Sequence, residues 1–201
     1  MPDYREIDWT QDAPSLEAYD ASWKRSTLTL VEHDRRLSEL TYILSEGGLD
    51  TDADQFLLGA DPAVAWYLAR RRLNETSFLE DLFAHPVLRE HDLPVGGPDR
   101  DAPIDFGFQY EGSFLAMGRL AQAVRDRLGV NSPYGGSDAK IISLVQDWAE
   151  AAFGGRYNEV TTYVSHARWS PWFSEAGLDL SMLWIDPATG LITILTASGR
   201  Y

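Results

Sequence analysis

The stretch that decides the fold is Leu178-Asp179-Leu180-Ser181-Met182-Leu183-Trp184-Ile185, then Asp186-Pro187-Ala188-Thr189-Gly190, then Leu191-Ile192-Thr193-Ile194-Leu195-Thr196-Ala197. In the first run Leu178, Leu180, Met182 and Trp184 alternate with Asp179, Ser181, Leu183 and Ile185, the two-residue period of a strand. In the middle segment Pro is preset for the second position of a turn and Gly is free to take a left-handed one. The last run is β-branched and apolar. Residues 178–197 therefore read as a β-hairpin. A hairpin alone is marginal in water, so it must pair with a further strand and pack on helices. Val160, Thr162 and Val164, alternating with Thr161, Tyr163 and Ser165, supply that strand over 158–166.

Upstream the period is helical. Between Asp34 and Glu46, Leu37, Leu40, Ile43 and Leu44 share one stripe, which stops at Gly47-Gly48. Asp61-Pro62 offers an N-cap and a proline at the first helical position, ahead of Val64, Tyr67 and Leu68. Arg70-Arg71-Arg72 then suits the negative end of that helix dipole. Ser77-Phe78-Leu79-Glu80 has a capping-box pattern, limited downstream by Pro86. Met117, Ala121, Val124 and Leu128 form another stripe before Gly129. Ser137 caps a last helix carrying Ile141, Leu144, Val145, Trp148 and Ala152 before Gly154-Gly155. The expected architecture is α+β: a helical N-terminal region of five to seven helices, packed on one face of a C-terminal antiparallel sheet of at least three strands.

At 201 residues the chain is long enough for one domain that buries about 70% of its unfolded surface, so no covalent staple is needed. Residues 1–201 read as a single α+β domain. Residues 94–105 hold three prolines and two glycines and form the clearest loop, either a break between subdomains or a long functional loop.

Charge is the strongest guide to partners. There are 31 Asp and Glu against 17 Lys and Arg, a net −14, and residues 1–60 hold 13 acids against 5 bases. Such a surface repels nucleic acid and anionic membrane and attracts a basic protein. Met1-Pro2-Asp3-Tyr4-Arg5-Glu6 has neither the basic region nor the apolar run of a signal peptide, and the chain has no cysteine, so a cytoplasmic location is expected. Only two of the basic residues are lysine, a bias that fits a GC-rich bacterial genome.

Catalytic and ligand motifs are weak. Asp50-Thr51-Asp52-Ala53-Asp54 opens a twelve-residue run to Asp61 that imitates a calcium loop, but Gln55 stands where the turn needs Gly and Asp61 where Glu is usual. An ordinary solvated acidic loop between two helices is expected there. Gly135-Gly136-Ser137 at a helix start lacks the strand and lysine placement of a phosphate loop. His85 and His91, six apart, cannot converge on one metal from a single helix, and His33 and His166 add no metal-binding frame. No Gly-x-Ser-x-Gly is present, and with 31 acids the pairs available for glycoside chemistry are too many to inform. No catalytic residue, metal or cofactor is assigned.

The most unusual composition lies in His166-Ala167-Arg168-Trp169-Ser170-Pro171-Trp172-Phe173-Ser174-Glu175. Trp and Arg anchor interfaces when exposed, which makes Arg168, Trp169, Trp172, Phe173 and Glu175 the candidate partner-binding set. The alternative is that Trp169, Trp172 and Phe173 fold inward and plug the end of the sheet. Acidity, aromatic content and missing catalytic motifs together point to a non-enzymatic protein-binding protein, an immunity or antitoxin-like inhibitor of a basic toxin or effector. The competing readings are a small hydrolase or transferase using His166 or His85 with nearby carboxylates, between helices and sheet, and a structural subunit of a homo-oligomer.

Overall fold

The computed structural model describes residues 8–32, 34–90, 106–127, 137–169, 173 and 179–199. Helices α1 (Leu16–Trp23), α2 (Arg35–Glu46), α3 (Pro62–Ala69), α4 (Phe78–Ala84), α5 (Pro86–Glu90), α6 (Ser113–Arg127) and α7 (Asp138–Phe153) accompany strands β1 (Thr27–Val31), β2 (Leu49–Gly59), β3 (Gln109–Glu111), β4 (Thr161–Ser165), β5 (Asp179–Ile185) and β6 (Leu191–Gly199). The strands form one antiparallel sheet in the order β1-β2-β6-β5-β4-β3. The α+β class and the C-terminal hairpin are as the sequence indicates.

Two features correct that reading. The sheet is not confined to the C-terminal part, because β1, β2 and β3 all come from the first 111 residues. Helices also cover both faces rather than one. Leu37, Leu40 and Leu44 of α2, Leu120 and Val124 of α6 and Trp148 of α7 pack on Leu49, Met182, Trp184 and Leu195. On the opposite face Tyr19 of α1, Val64 and Leu68 of α3 and Leu82 of α4 pack on Phe56, Leu58, Leu183, Ile185, Ile192 and Ile194. The cause is the two-residue period: β5 and β6 are apolar at odd and even positions alike, so neither face can be left in water. The 94–105 loop lies outside the described residues, and segments from both sides of it share both cores. No helix among the described residues is long and apolar enough to cross a membrane.

Local caps differ in detail from their sequence signatures. Asp34 caps α2 by accepting from Arg36 N–H at 2.9 Å, and Gly154, at φ 64, closes α7. Asp61 precedes α3 but its side chain makes no capping bond. Ser22 of α1 does so from a distance, its hydroxyl accepting from Ala63 and Val64 N–H at 3.1 and 3.3 Å. Asp61 instead pairs with Arg25 at 2.7 Å, docking α1 against α3. The Ser77 capping box does not form: Ser77 donates to the Asp81 carboxylate at 2.6 Å, and Thr76 Oγ1 accepts from Phe78 N–H.

At the β5–β6 turn, Asp186 is buried and accepts from Ala188 N–H at 2.9 Å, from the Thr189 hydroxyl and from the Arg156 guanidinium, while Gly190 takes φ 77. Burial pushes the Asp186 carboxyl up, but the Arg156, Thr189 and Ala188 donors outweigh it and hold its pKa below the usual carboxylate value. A depressed folded-state pKa contributes stability that is full above the ordinary carboxylate range and is lost as pH falls through the folded value. The stability gap between wild type and Asp186→Asn in urea should accordingly be largest at neutral pH and shrink below about pH 4. In the other core Trp148, fully buried and 4.6 Å from Trp184, should cost about 3–5 kcal/mol on truncation to Ala. Exposed Gln146 should tolerate the same change within about 0.5 kcal/mol, and equal losses in denaturant unfolding would refute the helical phase.

Candidate functional site

The face of the sheet that α1, α3 and α4 cover changes character along its strands. Strand register places Tyr163, Leu183, Ile194 and Asp54 in one cross-strand row, Ser165, Ser181, Thr196 and Asp52 in the next, and Asp179, Ser198 and Asp50 in the row beyond. Directly opposite residues in an antiparallel pair share a face. Leu183 and Ile194 belong to the aromatic and aliphatic core, whereas one step along every neighbour is a hydroxyl or a carboxylate. Buried polar groups on a sheet face are the informative exception to an apolar interior.

Most of these groups are satisfied. The Asp179 carboxylate accepts from the Ser198 hydroxyl at 2.7 Å and from Arg168 Nε at 3.1 Å, and its carbonyl oxygen accepts from His166 Nδ1–H at 3.1 Å. That bond to a carbonyl requires the proton on Nδ1. Ser181 Oγ accepts from Trp169 Nε1–H at 3.0 Å, and Ser165 donates to the Phe106 carbonyl at 2.5 Å. Thr196 Oγ1 is the exception, buried with no partner among the described residues. Strand β1 pairs only with Gln55–Gly59, so the Leu49–Asp54 half of β2 has no outer neighbour among the described strands. Inward-pointing charges on such an edge also oppose strand addition by another chain.

Beside this polar end, a cleft of about 270 Å³ opens at the β3–β4 edge. Gln109, Tyr110, Glu111, Arg119 and His166 line it, with Gly107 at φ 58 where a Cβ would lie 2.7 Å from Ala167 Cβ. Glu111 accepts from Arg119 Nε with both carboxylate oxygens, at 2.7 and 2.9 Å. The described lining therefore offers one exposed imidazole, a committed ion pair and a phenol, with no serine, threonine or cysteine.

The residues singled out in sequence are placed as follows. Trp169 and Phe173 are 4% and 5% exposed, 4.9 Å apart, and Trp169 packs 5.2 Å from Phe83 and 5.8 Å from Phe106. They plug the end of the core, as the inward alternative has it, and present no ring to a surface. Arg168 is half-exposed and spends its charge on buried Asp179. Trp172 and Glu175 lie outside the described residues, as do His33, His91 and Gly135-Gly136. His85 joins α4 to α5, accepts from Val87 N–H through Nδ1 and meets Trp23 edge-on, and burial lowers its pKa. The calcium-like run is corrected: Asp50, Asp52 and Asp54 form β2, not a loop, because nine consecutive residues from Leu49 to Leu57 pair with β6.

Sequence reasoning missed two features. One is the polar row of Thr196 and Asp52, which exists only through strand register. The other is a shallow groove of about 190 Å³ between α6 and α7, lined by Gly118, Ala121, Gln122, Arg125, Asp138 and Ile142. Leu115 lies three residues before Gly118 on the same helical face, and Leu115 and Ile142 are 58% and 51% exposed. Spacing of Leu115, Gly118 and Gln122 along one face was the available signal.

The architecture is thus a six-stranded antiparallel sheet between two helical layers, with its polar groups gathered at one end. In comparisons with known proteins no family model matches the chain, and no curated protein matches it at a significant level.

The hydroxyl of Ser181 gives a direct test of the polar end. Ser181→Ala leaves the buried Trp169 N–H unpaired and should cost about 1–3 kcal/mol in urea unfolding. Trp169→Phe made in the Ser181→Ala background removes the orphaned donor and should recover part of that loss.

Proposed function

We propose that the protein is a non-enzymatic, acidic protein-binding protein that holds a basic partner, in the manner of immunity or antitoxin-like inhibitors. The observation that carries this reading is the exposed apolar floor between α6 and α7, set in a chain of net −14. Leu115 and Ile142 expose large aliphatic side chains on either side of Gly118, where a Cβ would meet nothing within 4 Å. Asp138 at the groove is paired with Arg125 at 2.9 Å, and exposed Asp147 and Glu150 lie further along α7, on the side of Arg36 of α2. An apolar centre with a charged rim is the anatomy of a protein interface, and the net acidity of the chain steers a basic partner toward it.

The competing hydrolase or transferase reading needs converging acid, base and nucleophile. In the β3–β4 cleft Glu111 is engaged by Arg119 and His166 Nδ1 by a carbonyl, which favours binding over chemistry.

The test is partner capture from the native host followed by stopped-flow association with the purified partner. The association rate should fall from dilute to physiological salt, as the screening length shortens to about 8 Å. Asp147→Lys with Glu150→Lys should slow association, whereas Leu115→Ala or Ile142→Ala should chiefly speed dissociation. A partner that is acidic, or whose association ignores salt, would refute the electrostatic reading.

A further inference from the structure

The cleft at the β3–β4 edge holds a forked donor and an acceptor that no described residue engages. Its volume is about 270 Å³. It lies on the face of the sheet that α6 covers, where Glu111 of β3 meets Arg119 of α6 and Thr162 of β4 meets Ser113 at the start of α6. The β3–β4 register sets Gln109 directly opposite Val164 and Glu111 opposite Thr162 on that face. Buried Val164 makes the lining apolar at its base, and Gly107 and Ala167 keep it open with the two smallest residue types.

Arg119 is held by one nitrogen only. Both Glu111 oxygens accept from Nε, which fixes the plane of the guanidinium, while Nη1 and Nη2 have no partner among the described residues and the side chain is 47% exposed. Four of the five N–H donors of an arginine therefore remain, in the fork that matches the two oxygens of a carboxylate. The exposed Gln109 amide has no partner among the described residues either. His166 gives Nδ1–H to the Asp179 carbonyl, which leaves Nε2 as an acceptor in the same cleft.

These groups define a ligand. The Glu111–Arg119 pair sums to zero in a chain of net −14, so diffuse attraction gathers cations over this surface, and an anion is held only by direct bonds to the fork. A carboxylate makes two parallel bonds there. A carboxylate alone would leave His166 Nε2 unanswered, whereas a hydroxyl or amide N–H on the adjacent carbon supplies its donor. We propose that the β3–β4 cleft binds a carboxylate carrying a hydrogen-bond donor on its α-carbon, with the oxygens on Arg119 Nη1 and Nη2 and the Gln109 amide, and the α-donor on His166 Nε2. Two kinds of molecule bear that grouping, a free 2-hydroxy acid and the carboxyl end of a peptide. A peptide end would gain a further contact, because β3 pairs only with β4 among the described strands and its outer edge can accept an added strand. The cleft shares no lining residue with the α6–α7 groove and is independent of the protein-partner reading.

The experiment is calorimetric titration of the intact protein at physiological ionic strength with L-lactate and with acetyl-trialanine. Propionate, which lacks the α-donor, and acetyl-trialanine amide, which lacks the carboxylate, are the matched controls. Saturable one-to-one binding is expected for lactate, for the peptide or for both, each far tighter than its control. Lactate alone would identify a free acid as the occupant, and tighter binding of the peptide would identify a chain end laid along β3. Arg119→Lys keeps the charge beside Glu111 but loses the fork, and should weaken binding about tenfold. Gln109→Ala should weaken it several-fold, and the preference for lactate over propionate should vanish in His166→Ala. Arg71→Gln, an exposed arginine just beyond α3, should change nothing. The proposal is overturned by no saturable binding at millimolar ligand, by a control that binds as tightly as its parent, or by equal weakening in Arg71→Gln and Arg119→Lys, which would mean diffuse charge. Should Arg119→Lys fail to fold, unchanged affinity in Gln109→Ala with a wild-type melting temperature would overturn it as well.

Discussion

Strand β6 is hydrogen-bonded along both sides, to β2 from Leu191 to Gly199 and to β5 from Ile192 to Ser198. Because it lies inside the sheet, its odd residues Leu195 and Ala197 enter one core and its even residues Ile192 and Ile194 the other. Among the described strands, β1 and β2 join the C-terminal hairpin through this strand. Pairing with β6 sets the β2 register, β2 in turn carries β1, and α2 and α3 are placed at the two ends of β2. A one-residue slip would turn Phe56 and Leu58 out of their core and Asp50 and Asp52 into the other, so the register is strongly determined.

The same constraint makes the polar end. Once β2, β6, β5 and β4 are in register, acids and hydroxyls that are far apart in sequence share a single surface, and the chain resolves most of that burial with hydrogen bonds. Arg168 neutralises Asp179, Trp169 gives its N–H to Ser181, and the aromatic cluster of Phe83, Phe106, Trp169 and Phe173 seals the boundary with the apolar half. Trp169 and Phe173, from a segment rich in aromatic residues, thus act as a plug. Its indole and guanidinium are chosen by what lies beneath them, since a buried ring with a polar edge can cover a hydroxyl that an aliphatic side chain would leave unpaired. Among the described residues, exposed acids shape the protein's field, whereas Asp54, Asp179 and Asp186 are buried, the last two paired with Arg168 and Arg156.

Elements whose information is local were legible in the sequence. Amphipathic spacing located α2, α6 and α7, the proline placed the start of α3, and alternation with a Pro-and-Gly turn located β5 and β6, because period and turn chemistry act within a few residues. Thr27-Leu28-Thr29-Leu30-Val31 also carries a strand period and could have been read as β1. The first half of β2 could not, since aspartate is depleted in strands and three of them in five residues resemble a loop.

What the sequence determined alone is the α+β class, the acid surplus, the cysteine-free chemistry and the apolar stripes of its longer helices, all fixed by composition and short-range periodicity. Only the tertiary structure decided that helices cover both faces, that Trp169 and Phe173 turn inward, and that Asp52 meets Thr196. Those outcomes depend on pairing between residues 144 positions apart, and strand register is settled by which buried face gains more from leaving water, a quantity that no single stretch of the chain contains.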